Sequence, residues 1–91
     1  AKIHAIDLMV WDTAQMKAEG QRHTVEASML KLMSGQWCKE ICDECIQVLG
    51  GNGYSREFHV ERLYRDAKLL EIGEGTSEIQ RMVISGAVLA K

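Results

Sequence analysis

The chain has 91 residues, of which 46% are hydrophobic and 26% are charged, as in one small globular domain. This composition excludes a disordered acidic tail and a disulfide-packed miniprotein. A formal net charge of -2 argues against nucleic acid as a partner. No apolar run approaches the ~20 residues that span a bilayer. The absence of proline predicts helices, with glycines marking the breaks between them.

The first predicted element is an amphipathic helix from Ala1 to about Glu19. Its apolar residues recur at steps of three and four, which places them on one helix face. Gly20 ends this helix, and Thr24 is the predicted N-cap of a second, longer helix. The second helix keeps the same apolar spacing and ends at Gly50 and the residues after it. Because the connection is so short, we expect the two helices to lie antiparallel.

The second half of the chain is also predicted to be helical. A short helix from His59 to about Lys68 precedes a partly apolar loop that extends to Gly75. The last helix starts near Thr76 or Ser77, and the sequence from Ser77 has the spacing of a capping box. No segment alternates with the period of a strand. The predicted fold class is therefore all-α, an antiparallel helical bundle.

Cysteines and charged residues are the other obvious features of the helices. Cys38, Cys42 and Cys45 could form a metal or redox site, but zinc ligands commonly converge from a turn and no histidine is near in sequence. Small apolar residues on one helix face explain them better, and we predict no metal site. An odd number of thiols fits a reducing compartment. The charged residues between Glu57 and Lys68 are expected to form a salt-linked helix surface.

Two glycine-rich stretches exceed what helix ends require. In Gln47 to Gly53, three glycines occupy four positions, although one left-handed residue suffices to end a helix. Their bare backbone could let a phosphate approach, or the turn could simply stop the helix. In Glu71 to Glu78, glycines flank Glu74 just before a predicted helix N-terminus. The Glu74 carboxylate could act as a general base in a cleft, or be an exposed loop side chain.

Together these stretches resemble a known family. The run IQVLGGNGYSREFHVERLYRDAKLLEIGEGTSEIQRMVI is similar to the signature region of the acyl-CoA dehydrogenase family. A Gln-x-Leu-Gly-Gly turn, an Arg-Asp-Ala-Lys helix and a Glu-Gly-Thr motif follow in that family's order and spacing. The resemblance is strongest from Glu26 to Ile84. It implies that residues 1–91 are part of the C-terminal four-helix domain of a larger flavoenzyme, a homo-oligomer (dimer or tetramer).

The resemblance also implies roles for individual residues. Glu74 would remove the α-proton of an acyl-CoA thioester while FAD takes a hydride from the β-carbon, which gives a trans-2-enoyl-CoA. Gly73 and Gly75 would lie against the substrate, and Gly73 would admit branched or wide acyl groups because many members have an aromatic residue there. The other cofactor contacts would come from Thr76, Ser77 and Glu78 and, across a subunit interface, from Gln47, Val48, Leu49, Gly50 and Gly51.

An electron-transfer flavoprotein would accept the electrons by the same resemblance, in a bacterial cytoplasm or in the mitochondrial matrix. Two alternatives stay open at this point. The chain could be a non-catalytic helical association module that keeps the family's interface surface. It could also belong to an acyl-CoA oxidase-like flavoenzyme of the same superfamily. The intact Glu-Gly-Thr motif at Glu74 favours catalysis over the association module.

Overall fold

The computed structural model describes residues 1–90, so Lys91 of the predicted domain lies outside the described residues. Helices make up most of this range, which contains no strand, and the predicted all-α class is confirmed. The α-helices are α1 (Lys2–Ala18), α2 (Thr24–Leu49), α3 (Gly51–Tyr54), α4 (Val60–Ala67) and α5 (Ser77–Leu89). Two 3₁₀ turns flank α4, at Arg56–Phe58 and Lys68–Glu71.

The central element is α2, and all four other α-helices pack against it. Its 26 residues give it a length of about 39 Å. Helix α1 runs back along α2, because Lys2 at its start pairs with Glu40 in the second half of α2. The two helices therefore form the predicted antiparallel pair. The hydrogen bond from Lys2 holds the pKa of the Glu40 carboxyl below its ordinary value.

The remaining helices return along another side of α2. Val60, the first residue of α4, shares a groove with Val48 near the end of α2. Farther along the chain, Leu70 lies against Gly35 in the middle of α2. Ala87 near the end of α5 then lies beside the first turn of α2. The segment from α4 to α5 is thus antiparallel to α2 over its whole length.

This arrangement buries little apolar surface. Among residues 1–90, Ala67 is the one buried hydrophobic residue, and the other buried side chains belong to three polar residues. Large apolar side chains are exposed on α1 to α5, and Trp11 and Val48 retain 70% and 84% of their accessible surface. The helices form an open layer around α2 whose apolar faces stay uncovered within this chain. No helix of the described range is long and apolar enough to cross a membrane.

The predicted caps are wrong by one residue at two helix starts. Thr24 is the first residue of α2, and His23 occupies the N-cap position without a side-chain hydrogen bond. The N-cap of α5 is Thr76, whose hydroxyl oxygen accepts the amide hydrogen bond of Ile79 at 3.2 Å. Ser77 therefore lies inside the helix and begins no capping box. A single hydrogen bond defines the cap of α5, and the apolar spacing encodes neither helix start.

The segment around α4 also differs from its prediction. Helix α4 is one residue shorter at each end than predicted, because His59 has a left-handed φ of 62° and Lys68 begins a 3₁₀ turn. This 3₁₀ turn occupies part of the predicted loop. The predicted salt-linked surface is confirmed in part: Arg65 donates to both carboxylate oxygens of Glu61 at 2.7 and 3.3 Å. That hydrogen bond holds the pKa of Glu61 below its ordinary value.

Candidate active site

Glu74 lies in the connection between the second 3₁₀ turn and α5. Its side chain is exposed, and its φ of 56° is left-handed. For a residue with a Cβ this conformation costs about 1–2 kcal/mol. Gly75 follows with a φ of 101°, so two successive residues turn the chain sharply before α5. Backbone strain of this kind clusters at functional sites, which makes the loop a candidate active site.

Lys31 of α2 attaches this loop to the rest of the fold. Its ammonium group donates to the carbonyl oxygen of Leu70 at 2.7 Å and to that of Gly75 at 3.1 Å. Gln80, which is buried in α5, also donates to the Gly75 carbonyl, at 3.5 Å. The two carbonyl groups lie on opposite sides of Glu74 in sequence. The contacts therefore hold the loop at both ends.

The chain beside the loop packs directly on α2 at Gly35. A Cβ at position 35 would lie 3.1 Å from the carbonyl oxygen of Leu70 and 3.3 Å from Cγ of Glu71. The Glu71 carboxylate is 17% exposed and lies 3.7 Å from the Lys39 amine and 3.8 Å from that of Lys68. Its Oε1 is buried and has no hydrogen bond to the described residues. Two ammonium groups thus neutralise this carboxylate by charge alone.

The first turn of α5 presents backbone donors next to Glu74. The Thr76 hydroxyl accepts the amide hydrogen bond of Ile79, and the Thr76 carbonyl accepts that of Gln80. The amides of Ser77 and Glu78 have no partner within an α-helix that starts here. Such amides favour anionic or acceptor groups. The predicted cofactor residues at positions 76–78 therefore lie together, adjacent to Glu74.

The other predicted cofactor residues form a separate surface. Gln47, Val48 and Leu49 are the last residues of α2, and Gly50 and Gly51 follow them. The Glu74 loop contacts α2 at position 31, which is 16 positions before residue 47, or about 24 Å along the helix axis. Within one chain the structure does not bring the two groups of residues together.

The three glycines of this turn differ in what the fold requires of them. Gly50 ends α2 with a φ of 64°, which a side chain would strain. Gly53 is buried, and a Cβ there would lie 2.5 Å from the carbonyl oxygen of Ile46. A Cβ at Gly51 would meet no atom within 4 Å, and its φ is not left-handed. The fold of this chain accounts for the first two glycines, so only Gly51 needs a reason from outside it.

Both predicted substrate-contacting glycines also have neighbours in their own chain. A Cβ at Gly73 would lie 3.3 Å from both Cδ1 and the carbonyl oxygen of Leu69, which is tight. A Cβ at Gly75 would lie 2.6 Å from Nε2 of Gln80, and its φ is left-handed as well. The local packing therefore favours glycine at 73 and requires it at 75.

The cysteines lie on α2, and Cys38 and Cys42 line a groove that Leu70 also lines. Cys38 and Cys42 are partly buried beside Ile3 and Ile6 of α1, and Cys45 is exposed. Burial raises the pKa of the Cys42 thiol, and its neighbour Cys38 raises it further. All three thiols are free. Within residues 1–90, no cluster of His, Cys, Asp and Glu side chains is placed to hold a metal ion.

Known proteins are similar to this chain in both sequence and fold. Residues 1–89 match the family model of the acyl-CoA dehydrogenase C-terminal domain. The chain belongs to the acyl-CoA dehydrogenase family. It is 44% identical over 90 residues to the caffeyl-CoA reductase-Etf complex subunit CarC of Acetobacterium woodii, covering 99% of this chain and 24% of that protein.

Two further members of the acyl-CoA dehydrogenase family give the same result. The mitochondrial short-chain specific acyl-CoA dehydrogenase of Rattus norvegicus is 46% identical over 82 residues, which cover 90% of this chain and 20% of that protein. The structure of butyryl-CoA dehydrogenase from Megasphaera elsdenii superposes with a TM-score of 0.94 at 41% identity, over 97% of this chain and 23% of that one. The chain thus spans less than a quarter of the length of these relatives.

Three residues that shape this acyl-CoA dehydrogenase loop were not identified from the sequence. Lys31, Gly35 and Lys39 occur at steps of four along α2, so they share one helix face. The sequence signal that could have identified these residues is a glycine with one lysine four positions before it and another four positions after it. The pattern shows a face on which another segment can rest. It does not show which segment rests there.

Proposed function

We propose that residues 1–91 are part of the C-terminal helical domain of an FAD-dependent acyl-CoA dehydrogenase, which converts an acyl-CoA thioester to a trans-2-enoyl-CoA. The placement of Glu74 carries the proposal. An exposed carboxylate stands in a left-handed loop that two carbonyl contacts attach to α2, directly before a helix N-terminus. A general base needs this combination of access and fixed position.

Glu74 is the base in this proposal. One of its carboxylate oxygens takes the α-proton of the thioester, and the loop contacts hold the backbone from which the Glu74 side chain projects. Bound FAD would accept the hydride from the β-carbon. The first-turn amides of Ser77 and Glu78 and the open backbone at Gly51 fit such an acceptor-rich group, since each leaves donor or bare backbone surface unobstructed. A module that only mediates association would need no carboxylate on a strained loop backbone.

The separation of the two predicted cofactor surfaces supports a homo-oligomer. Residues 47–51 lie about 24 Å along α2 from the contact that holds the Glu74 loop. In the proposed dimer or tetramer, these residues of one copy contact the FAD held beside Thr76 to Glu78 of another. Val48 and Leu49 retain 84% and 39% of their surface, which leaves apolar area for that contact.

The proposed electron acceptor is an electron-transfer flavoprotein, since the relative CarC is named as a subunit of a complex with Etf. The proposed location is a bacterial cytoplasm or the mitochondrial matrix. Three free cysteines and a mitochondrial relative support it. The experiment that tests the proposed function is flavin bleaching by acyl-CoA in the full-length enzyme with Glu74→Gln.

The proposed interface predicts a specific effect at Gly51. The variant Gly51→Val in the full-length enzyme is expected to lower flavin content and weaken the oligomer together. Its side chain has free space within residues 1–90, so an obstruction would come from outside them, from a cofactor, a second copy or another part of the full-length chain. Absorbance ratios and sedimentation velocity measure the two quantities. Gly86→Val is the control, because Gly86 of α5 also has open space around its Cβ position. Unchanged flavin content and oligomer size in Gly51→Val would contradict the assignment.

The width of the acyl pocket is tested at Gly73. The variant Gly73→Tyr is expected to reduce kcat/KM for branched acyl-CoAs more than for straight ones, because a ring beside the reacting carbons clashes with their substituents. Gly73→Ala is the matched control, since it adds the same Cβ against Leu69 but no ring. The relevant result is the difference between the tyrosine and alanine variants. Equal losses for both substrate shapes would show that position 73 does not face the acyl chain.

A further inference from the structure

The geometry points to Lys31 as a positioning residue for Glu74. Lys31 shares one face of α2 with Gly35 and Lys39, and we call these three residues the docking strip. The strip holds the segment from Leu70 to Gly75 against α2. The inference relies on the proposed function for what Glu74 does, whereas the contacts that hold the loop stand independently of it.

The contacts of Lys31 bracket the strained part of the loop. Its ammonium group reaches the carbonyl oxygens of Leu70 and Gly75, which are 39 and 44 positions away in sequence. Glu74 lies between these two carbonyl groups and Gly75 carries the second of them. Both residues have left-handed φ values. Such conformations persist only where the surroundings over-determine them. Lys31 supplies two charge-assisted hydrogen bonds for this purpose.

A lysine side chain is suited to hold the two carbonyl groups of the loop. An ammonium group is a compact charge with three donors, so it can donate to both carbonyl groups at once. The Leu70 carbonyl belongs to a 3₁₀ turn near its C-terminal end, where exposed carbonyl oxygens attract a cation. Lys31 contacts these backbone atoms and has no hydrogen bond to the Glu74 carboxylate among the described residues. It therefore acts through the position of the loop.

The other two members of the strip set the distance between the loop and α2. Gly35 has no side chain, so the Leu70 carbonyl oxygen can approach α2 closely. A Cβ at position 35 would lie only 3.1 Å from this oxygen. Lys39 lies 3.7 Å from the Glu71 carboxylate and attracts the same turn by charge. The strip thus contacts the loop at three consecutive steps along one helix face. A displacement of about 1 Å in a reacting group can cost on the order of 10²-fold in rate.

The experiment compares Lys31→Met with Lys31→Arg in the full-length enzyme. Methionine keeps the apolar stem and removes the donors, whereas arginine keeps a charged donor. The control is Lys17→Met, at an exposed lysine in the last turn of α1. We expect Lys31→Met to speed amide hydrogen exchange in residues 72–76 and to lower kcat about 10- to 100-fold with KM within about twofold. Lys31→Arg should recover part of kcat, and Lys17→Met should match the wild type.

Gly35→Ala is a second variant that keeps every charge. Its Cβ should push the Leu70 carbonyl away, so it should reproduce the faster exchange in residues 72–76 even if Lys31→Met folds poorly. Unchanged amide hydrogen exchange in both Lys31→Met and Gly35→Ala would overturn the assignment. A loss of kcat in Lys31→Met that is not relieved at all in Lys31→Arg would overturn it as well. Because exchange reports the loop itself, this failure is distinct from that of the proposed function, in which Glu74→Gln would keep normal turnover.

Discussion

Replacing Glu74 by glutamine in the full-length enzyme is expected to lower the rate of flavin reduction by on the order of 10²–10⁴, and by more if no water replaces the base. Glutamine keeps the size and most of the hydrogen-bonding capacity of the side chain, but it cannot accept the α-proton. The amides at Ser77 and Glu78 are unchanged, so flavin and substrate should still bind. The measurement follows flavin bleaching after acyl-CoA is mixed with the FAD-loaded variant.

The control for this experiment is Glu57→Gln, which removes an exposed carboxylate in the first 3₁₀ turn, outside the Glu74 loop. It should leave bleaching within about twofold of the wild type, as expected for a surface substitution away from the site. Slow bleaching in Glu74→Gln together with normal substrate affinity supports the assignment of the base. Near-normal bleaching would move the base to another residue and remove the main support for the proposed function.

The long helices could be predicted because the spacing of apolar residues that defines them is a local sequence pattern. Apolar steps of three and four run through α1, α2 and α5, and glycines lie at or near the ends of α1 and α2. The helix starts were less predictable, because the apolar spacing does not specify which residue is the cap. Thr76 rather than Ser77 is the cap of α5, and the difference lies in which hydroxyl reaches the Ile79 amide.

The loop at Glu74 was identified from a local motif, but the residues that hold it were not. Lys31 meets carbonyl groups that are 39 and 44 positions away, and a single sequence does not specify that pairing. A contact between two elements also determines Gly53. Gly53 is required because α3 folds back onto Ile46, and this contact appears only once both helices are in place. Local periodicity therefore predicted the elements, and long-range contacts determined the site.

Residues 1–91 produced alone are expected to self-associate and to bind no FAD tightly. Among residues 1–90, eighteen large apolar side chains are exposed, against one buried hydrophobic residue, Ala67. Monomeric proteins rarely expose contiguous apolar patches of more than a few hundred Å². The Lys31 contact that holds the Glu74 loop also lies about 24 Å along α2 from Gln47 on each copy. A single chain therefore offers only half of the proposed FAD site and no cover for its apolar faces.

Sedimentation velocity over a range of concentrations tests the association, and a fluorescence titration tests FAD binding. Val48→Lys should reduce the association, because Val48 retains 84% of its surface on an apolar groove beside Val60. Ser85→Lys is the matched control, since it adds the same charge at an exposed polar position of α5 and should change little. A chain that stays monomeric, unfolds cooperatively and binds FAD tightly would contradict the expectation, because the uncovered faces and the separated cofactor residues would then be compatible with a complete site in one copy.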